Sequence, residues 1–210
     1  MSPTPTLPPL PGTSQPVVAI FDFDGTIMRG NSLRSFLLAV VGTPRWWGGL
    51  IVLSPRLLLY MLGMIPAWRV KEIVLTHFFA GWSEDQLRVA AEKFASDELP
   101  QLVKPAALER LRWHQQQRHH TILISASPEL YLRPWARSVG IDEVSCTRLA
   151  TEQGVITGRI LGKNCRGPEK VERLLALLGD RSRYCICAYG DSDGDKELLA
   201  LADHAYYRAL

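Results

Sequence analysis

Six polar side chains in this sequence sit where apolar runs end or where a helix opens between two of them. They are Asp22 and Asp24 in FDFDGT, Ser125 in TILISAS, Lys170 in GPEKVERLL, and Asp191 and Asp195 in GDSDGD. Two carboxylates one residue apart repel, and one of them tends to hold a proton. That tension suits chemistry at phosphorus. A carboxylate such as Asp22 can attack phosphorus and form an aspartyl-phosphate. A divalent cation must then offset its repulsion from the substrate oxygens, and Mg²⁺ suits a few carboxylates completed by phosphate and water. Asp22 and Asp191 can supply those ligands, with Asp195 binding directly or through water. A second acid must protonate the departing alkoxide and then deprotonate water, and Asp24, crowded by other carboxylates, is the candidate. Lys170, the Ser125 hydroxyl and loop N–H groups can donate to the equatorial oxygens of the transition state.

Each feature has an ordinary reading when taken alone. D-x-D is commonly a solvated turn, Ser125 a residue near a helix N-cap, and Lys170 a solvated helix lysine. GDSDGD reads equally as an acidic loop, although it lacks the spacing and terminal Glu of an EF-hand. The argument for a site rests on all of them occurring together, in this order.

The elements that must position these residues follow from periodicity. VVAIFDF is a continuous apolar run, the pattern of a strand buried on both faces. TILIS and YCICAYG have the same character, EVSC is a shorter strand, and LATEQGVITGRI reads as two short strands about a Gly-containing turn. AYYRA is a last strand. Helices are expected over PELYLRPWARSV, with Pro128 in the first turn, over Lys104 to Arg118, over GPEKVERLLALL and over DKELLALA. Asn31 to about Leu99 reads as helices only, with Ser83 and Gln86 spaced as a capping box. Strands alternating with helices predict an α/β fold with a Rossmann-like parallel sheet. The all-helical stretch must stand over that sheet as an insertion. Ligands in such sheets bind beyond the carboxyl ends of the strands, where the polar groups above are found. The expected division is a Pro-rich lead over residues 1–16, a core over 17–30 and 100–210, and a helical cap over 31–99.

A chain of 210 residues with 47% hydrophobic content suits one domain with room for a smaller insert. A formal charge of +3 is too mild to argue for nucleic acid. Cys146, Cys165, Cys185 and Cys187 show no metal-ligand spacing, so a reduced, cytoplasmic protein is expected. The start, MSPTPTLPPLPGTSQP, lacks the basic and apolar regions of a signal peptide and reads as a disordered or polyproline-like lead. Trp46 to Trp68 is roughly long enough to span a bilayer. Pro55 and Arg56 interrupt it, which favours a buried or interfacial helical hairpin.

Taken together, DFDGT, Ser125 in ISASP, Lys170 and GDSDGD resemble motifs I to IV of the haloacid dehalogenase superfamily, and the resemblance covers nearly everything from Val17 onward. The helical insertion resembles its type I cap, and ILISASPELY and NCRGPEKVERL resemble the phosphoserine-phosphatase-like subfamily IB. The resemblance implies that Asp22 is the nucleophile and a Mg²⁺ ligand. It implies that Asp24 is the general acid/base and binds the metal through its backbone carbonyl. Asp191 would be a ligand, Asp195 a further ligand or a support behind it, and Ser125 and Lys170 the phosphoryl-binding residues. The expected activity is hydrolysis of a small soluble phosphomonoester, with transfer to another acceptor as a rival. Phosphoserine phosphatases carry a Glu a few residues after motif I, where this chain has Asn31, and commonly S-G-G where it has Ser125-Ala126-Ser127. Both departures point away from phosphoserine.

A second resemblance, to bacterial phosphatidylglycerophosphatase C proteins, covers the apolar cap stretch, GWSEDQL, SASP and NCRGPEK. It implies a lipid phosphate and contact of the cap with the inner membrane surface, where Arg45, Arg56 and Arg69 would meet anionic head groups. The alternative is that the same apolar residues pack a cap core. Outside the enzymes, the rival reading is a non-catalytic phosphate-binding or lipid-surface module, for which the acid at Asp24 has no use.

Overall fold

The computed structural model describes residues 15–210. The expected Pro-rich lead lies, up to residue 14, outside the described residues. From the N-terminal side the elements are β1 (Val17–Phe21), α1 (Ser32–Val41), α2 (Thr43–Met61), α3 (Ala67–Phe79), α4 (Glu84–Asp97), α5 (Leu99–Leu102) and α6 (Pro105–Gln116). Then come β2 (His120–Pro128), α7 (Glu129–Ser138), β3 (Glu143–Glu152), β4 (Val155–Leu161), α8 (Pro168–Leu178), β5 (Cys185–Gly190), α9 (Lys196–Leu201) and β6 (His204–Tyr207).

The strands form one sheet in the order β4-β3-β2-β1-β5-β6. β1 lies at its centre, parallel to β2 and β5, with Val18 opposite His120 and Val17 opposite Cys185. Alternate residues explain the unbroken apolar runs. Val18, Ile20, Ile122, Ile124, Ile186 and Ala188 pack on one face with Leu174 of α8 and Leu198 of α9. Ala19, Phe21, Leu123, Cys187 and Tyr189 pack on the other with α6 and α7. Both faces are covered, so the strands need no polar stripe.

Two strand expectations change. EVSC and LATE are not separate strands but one β3, and β4 runs antiparallel to it, so the sheet is parallel except at this edge. The Gln153-Gly154 turn, with both residues at positive φ, lets β3 reverse into β4 as a hairpin.

The helical insertion between β1 and β2 shares the core of the sheet. Phe36 of α1 lies 4.9 Å from the Tyr131 ring of α7 and 5.4 Å from Phe94 of α4. Its two chain connections are clamped together, with Arg29 N donating to Leu102 O and Lys104 N to Ile27 O. A second seam joins α3 to β4. Glu72 Oε1 accepts from Ile160 N at 3.0 Å, and Ile156 N donates to Trp82 O at 2.8 Å. Gly158 sits at φ +80°, where a Cβ would lie 2.3 Å from the Thr76 Cα, so only glycine permits this approach. The capping box of α4 is present, with reciprocal bonds between Ser83 and Gln86.

The stretch from Trp46 to Trp68 departs from a buried hairpin. α2 continues through Pro55, and the chain turns only after Met61. Pro55 has no N–H for the Ile51 carbonyl, and the Ser54 hydroxyl supplies that bond instead at 2.7 Å. Trp46, Gly49 and Leu53 face inward. Trp47, Ile51, Leu58, Met61 and Met64 face outward, Ile51 at 74% and Met61 at 80% exposure. Among the described residues no single helix is long and apolar enough to cross a membrane; α1 and α2 pass such a test only together, bent by 117°.

Candidate active site

Asp22 follows directly on β1, and its N–H bonds to Tyr189 O of β5, so two central strands fix its position. Lys170 enters from the first turn of α8, which Gly167 and Pro168 start. Its Nζ donates to Asp22 Oδ1 at 2.5 Å and to Asp195 Oδ1 at 2.6 Å. All three groups are almost fully buried, Lys170 at 2% and Asp195 at 0% side-chain exposure. The other oxygen of Asp195 accepts from Ser192 N, Ser192 Oγ and Asp191 N. Asp195 thus holds both Lys170 and the loop that carries Asp191.

The DFDGT glycine has a steric cause. Gly25 lies at φ +80°, and a Cβ there would come within 2.0 Å of Asp191 Oδ2. Its absence lets the loop after β5 close against the loop after β1. Asp22, Asp191 and Asp195 each offer an oxygen, all within 4.8 Å of one another. Asp191 Oδ1 is buried and accepts no hydrogen bond. A buried anionic oxygen without a partner is costly, and a divalent cation beside Asp22 and Asp191 would satisfy it. An all-oxygen donor set fits Mg²⁺.

Asp24 is built differently. Its Oδ1 accepts from Ser32 N, in the first turn of α1, at 2.9 Å, and its Oδ2 from Ser127 Oγ at 2.7 Å. The carboxylate oxygens within 4.8 Å of one another are those of Asp22, Asp191 and Asp195; Asp24 is not one of that group, although its charge acts on Asp22. Ser125, at 1% exposure, accepts at its hydroxyl from Ser127 N.

Burial pushes Asp22 up to about 7, against the pull of Lys170. Burial, reinforced by Asp195, also raises Asp191. Burial opposes the charges on Lys170 and Asp195 too, but partners override it: Asp22 and Asp195 hold Lys170 protonated above its ordinary range, and Lys170 with the Ser192 hydrogen bonds holds Asp195 ionised below its own.

Asp22, Asp24, Ser125, Lys170 and Asp191 all line one cavity of about 510 Å³. Asp195 stands behind its wall. The six residues singled out from the sequence are therefore brought together, five at the surface of the cleft and one in support. Sequence reasoning missed Lys71, Ser127, Asn164 and Arg166 as polar groups of this cleft, and Ser32, whose N–H holds Asp24 from behind it. Ser127 was legible in principle, two residues past Ser125 on the same strand end. Lys71 was not, because nothing in the repeat of α3 marks that its one lysine faces the cleft. Its Nζ donates to Ala126 O at 2.7 Å and Asn164 Oδ1 at 2.8 Å.

Three comparisons bear on this arrangement. The chain is 36% identical over 195 residues to Protein CicA of Caulobacter vibrioides, covering 92% of this chain and 86% of that protein. It is 28% identical over 214 residues to the Mycobacterium tuberculosis protein named Probable phosphatase Rv3661, covering 95% and 72%. A phosphoserine phosphohydrolase-like protein from Francisella tularensis shares the fold, with a TM-score of 0.65 at 16% identity over 91% of this chain and 85% of that one. The sequence profile of the haloacid dehalogenase-like hydrolases matches residues 19–200, and the chain belongs to that family.

Proposed function

We propose that this phosphatase-like hydrolase cleaves a small soluble phosphomonoester through an aspartyl-phosphate on Asp22, with Mg²⁺ as cofactor. The observation that carries the reading is the meeting of Asp22, Asp24, Lys170 and Asp191 in one cleft beyond β1 and β5. An oxygen of Asp22 attacks phosphorus as the ester P–O bond breaks. Asp24 gives its proton to the departing alkoxide. Asp24 then takes a proton from water, which attacks the aspartyl-phosphate and releases inorganic phosphate and the Asp22 carboxylate. Lys170, Ser125 and nearby loop N–H groups donate to the phosphoryl oxygens. Asp22, Asp191 and the Asp24 carbonyl would hold Mg²⁺, which neutralises charge on the phosphoryl oxygens when bound. Asp195 acts through Lys170 and the Ser192 loop. We read residues 31–99 as the cap and the cytoplasm as the compartment, in keeping with four free, buried cysteines.

The test is turnover of an aryl phosphate. Asp22→Asn should abolish it in a protein that still folds, and wild-type rates would refute the nucleophile. EDTA should remove activity and Mg²⁺ restore it, whereas metal-independent turnover would count against the site. Labelled phosphate trapped on the wild-type protein but not on Asp22→Asn would identify the intermediate.

One observation favours a second reading, a lipid phosphate met at a membrane surface. From Gly25 to Lys71 the chain contains no Asp or Glu, while Arg29, Arg34, Arg45, Arg56, Arg69 and Lys71 fall within it. The outward apolar side of α2 belongs to this acid-free stretch. Sedimentation with phosphatidylglycerol vesicles but not phosphatidylcholine vesicles supports that reading, and no sedimentation at low salt removes it.

A further inference from the structure

Beyond the phosphoryl site the cleft continues. A second cavity of about 670 Å³ opens beside it, walled in part by Ala67, Trp68, Ile160 and Pro168. The two share Ala67, Asn164 and Arg166, so these residues form the threshold between them. Two cations stand at this threshold that the proposed chemistry does not use. Lys71 comes from α3, with two of its three ammonium protons bonded to Ala126 O and Asn164 Oδ1. Arg166 comes from the loop before α8, and its side chain packs over Gly194. Among the described residues its guanidinium makes no hydrogen bond or ion pair. Asp24, in the first cavity, is the carboxylate whose charge acts most on Lys71, and it is itself bonded to Ser32 N and Ser127 Oγ. The acids that line the second cavity are engaged with other partners. Glu72 accepts from Arg69 and Ile160 N, and Glu169 pairs with Arg173.

Resting on the phosphatase reading above, we propose that Lys71 and Arg166 form a subsite for a second anionic group on the substrate. The substrate class is then a phosphomonoester whose leaving group carries a carboxylate or a phosphodiester, with its remaining carbon skeleton lying in the apolar-walled cavity. A neutral alcohol would gain nothing from these two cations, because Lys170 and Ser125 already serve the phosphoryl group in the proposed reaction. An amino-acid phosphate is disfavoured, because its ammonium would meet the same cations. Asn31, which caps α1 through Arg34 N, offers that ammonium no negative charge. Burial lowers Lys71 to about 8, and Arg166 adds to the effect while Asp24 opposes it. An anion between the two cations would relieve that strain on the charge.

The test compares kcat/KM for three probes: p-nitrophenyl phosphate, 3-phosphoglycerate and phosphatidylglycerol phosphate in mixed micelles. The readout is the ratio of each doubly functional probe to the aryl phosphate. A charge-assisted contact predicts a ratio of about tenfold or more in the wild type for at least one of the two. That ratio should collapse toward one in Lys71→Met and in Arg166→Gln, mainly through KM, and return in part in Lys71→Arg. A carboxylate preference identifies a soluble substrate, and a phosphodiester preference a lipid one. The inference is overturned if neither ratio exceeds about threefold in the wild type, or if the ratio survives both substitutions. Loss of the insertion's packing in Lys71→Met would depress all three probes together and leave the ratio standing, which also counts against the subsite. If no probe is turned over, the phosphatase reading itself fails, a result distinct from either.

Discussion

The two sides of the cleft are built on different terms. On the core side, Asp22, Ser125, Lys170 and Asp195 are buried, and each is held by strand ends or by two or more polar partners. On the side of the helical insertion, Ala67 and Trp68 are exposed, Lys71 is half-buried, and one ammonium reaches across to the core. The core side is over-determined, as a group that must meet a transition state within a fraction of an ångström has to be. The insertion side tolerates change, which suits substrate choice. The difference teaches where each kind of mutation should act: on turnover from the core, on binding and preference from the insertion.

The largest expected effect breaks the core side. Lys170→Met keeps the volume but strands Asp22 and Asp195 in a dry site, and removing one partner of such a buried pair costs about 3–5 kcal/mol. On the proposed mechanism, activity should fall by roughly a thousandfold or more, from loss of the cation assigned to the phosphoryl group and disordering of the assigned nucleophile. Thermal melting and turnover measured together check this, and a stable, active Lys170→Met protein would mean that the core side is not over-determined. Asp24→Asn comes next. Its amide oxygen can keep the bond from Ser32 N, and its NH2 can donate to Ser127 Oγ in place of the bond Asp24 accepts there, so the fold should stand while turnover drops about 10²–10⁴-fold. Undiminished turnover would rule out its acid/base role.

The seam between the two sides gives an intermediate effect. Gly158→Val places a branched side chain where the backbone of Thr76 lies, at a positive φ that valine avoids. Either α3 lifts from β4 or the hairpin distorts, at a cost on the order of 1–3 kcal/mol. Substrate preference should change more than the turnover of a small aryl phosphate, since α3 carries Lys71. A shift in turnover with preference unchanged would show that the two sides are not separable.

The same contrast governs how much could be seen in the sequence. Strands buried on both faces leave a continuous apolar signature, and their polar ends stand out against it, so the sheet and Asp22, Asp24, Ser125, Lys170, Asp191 and Asp195 were legible. The antiparallel β4 was half legible. The Gly-containing turn was visible, but EVSC and LATE were not recognisable as one strand, because Thr147 and Arg148 break the apolar run between them. The insertion was legible as helices and illegible as a surface. Helical period says which residues share a side, not which side is covered, and Pro55 in α2 suggested a break that the Ser54 hydroxyl averts. Lys71 was hidden for the same reason: its partners, Ala126 and Asn164, are 55 and 93 residues away.

The smallest expected effect, that of Ile51→Ser, addresses that illegible side directly, with the larger effect of Leu53→Ala as its inner-side control. Leu53 and Ile51 stand two residues apart in α2, Leu53 at 1% exposure and Ile51 at 74%. Leu53→Ala should cost about 2–5 kcal/mol, because a buried leucine leaves both lost transfer energy and a cavity. Ile51→Ser removes a branched side chain from water, and its effect on stability should stay within about 0.5 kcal/mol in either direction. Denaturant unfolding of the two variants measures the difference. If Ile51→Ser destabilises as Leu53→Ala does, the outer side of α2 is covered in the native protein by something that melts away with it. If it is neutral while vesicle binding falls, the apolar residues there serve an encounter with a surface and contribute nothing to the fold. Equal indifference in both assays would leave α2 as a spacer whose inner side alone was selected for packing.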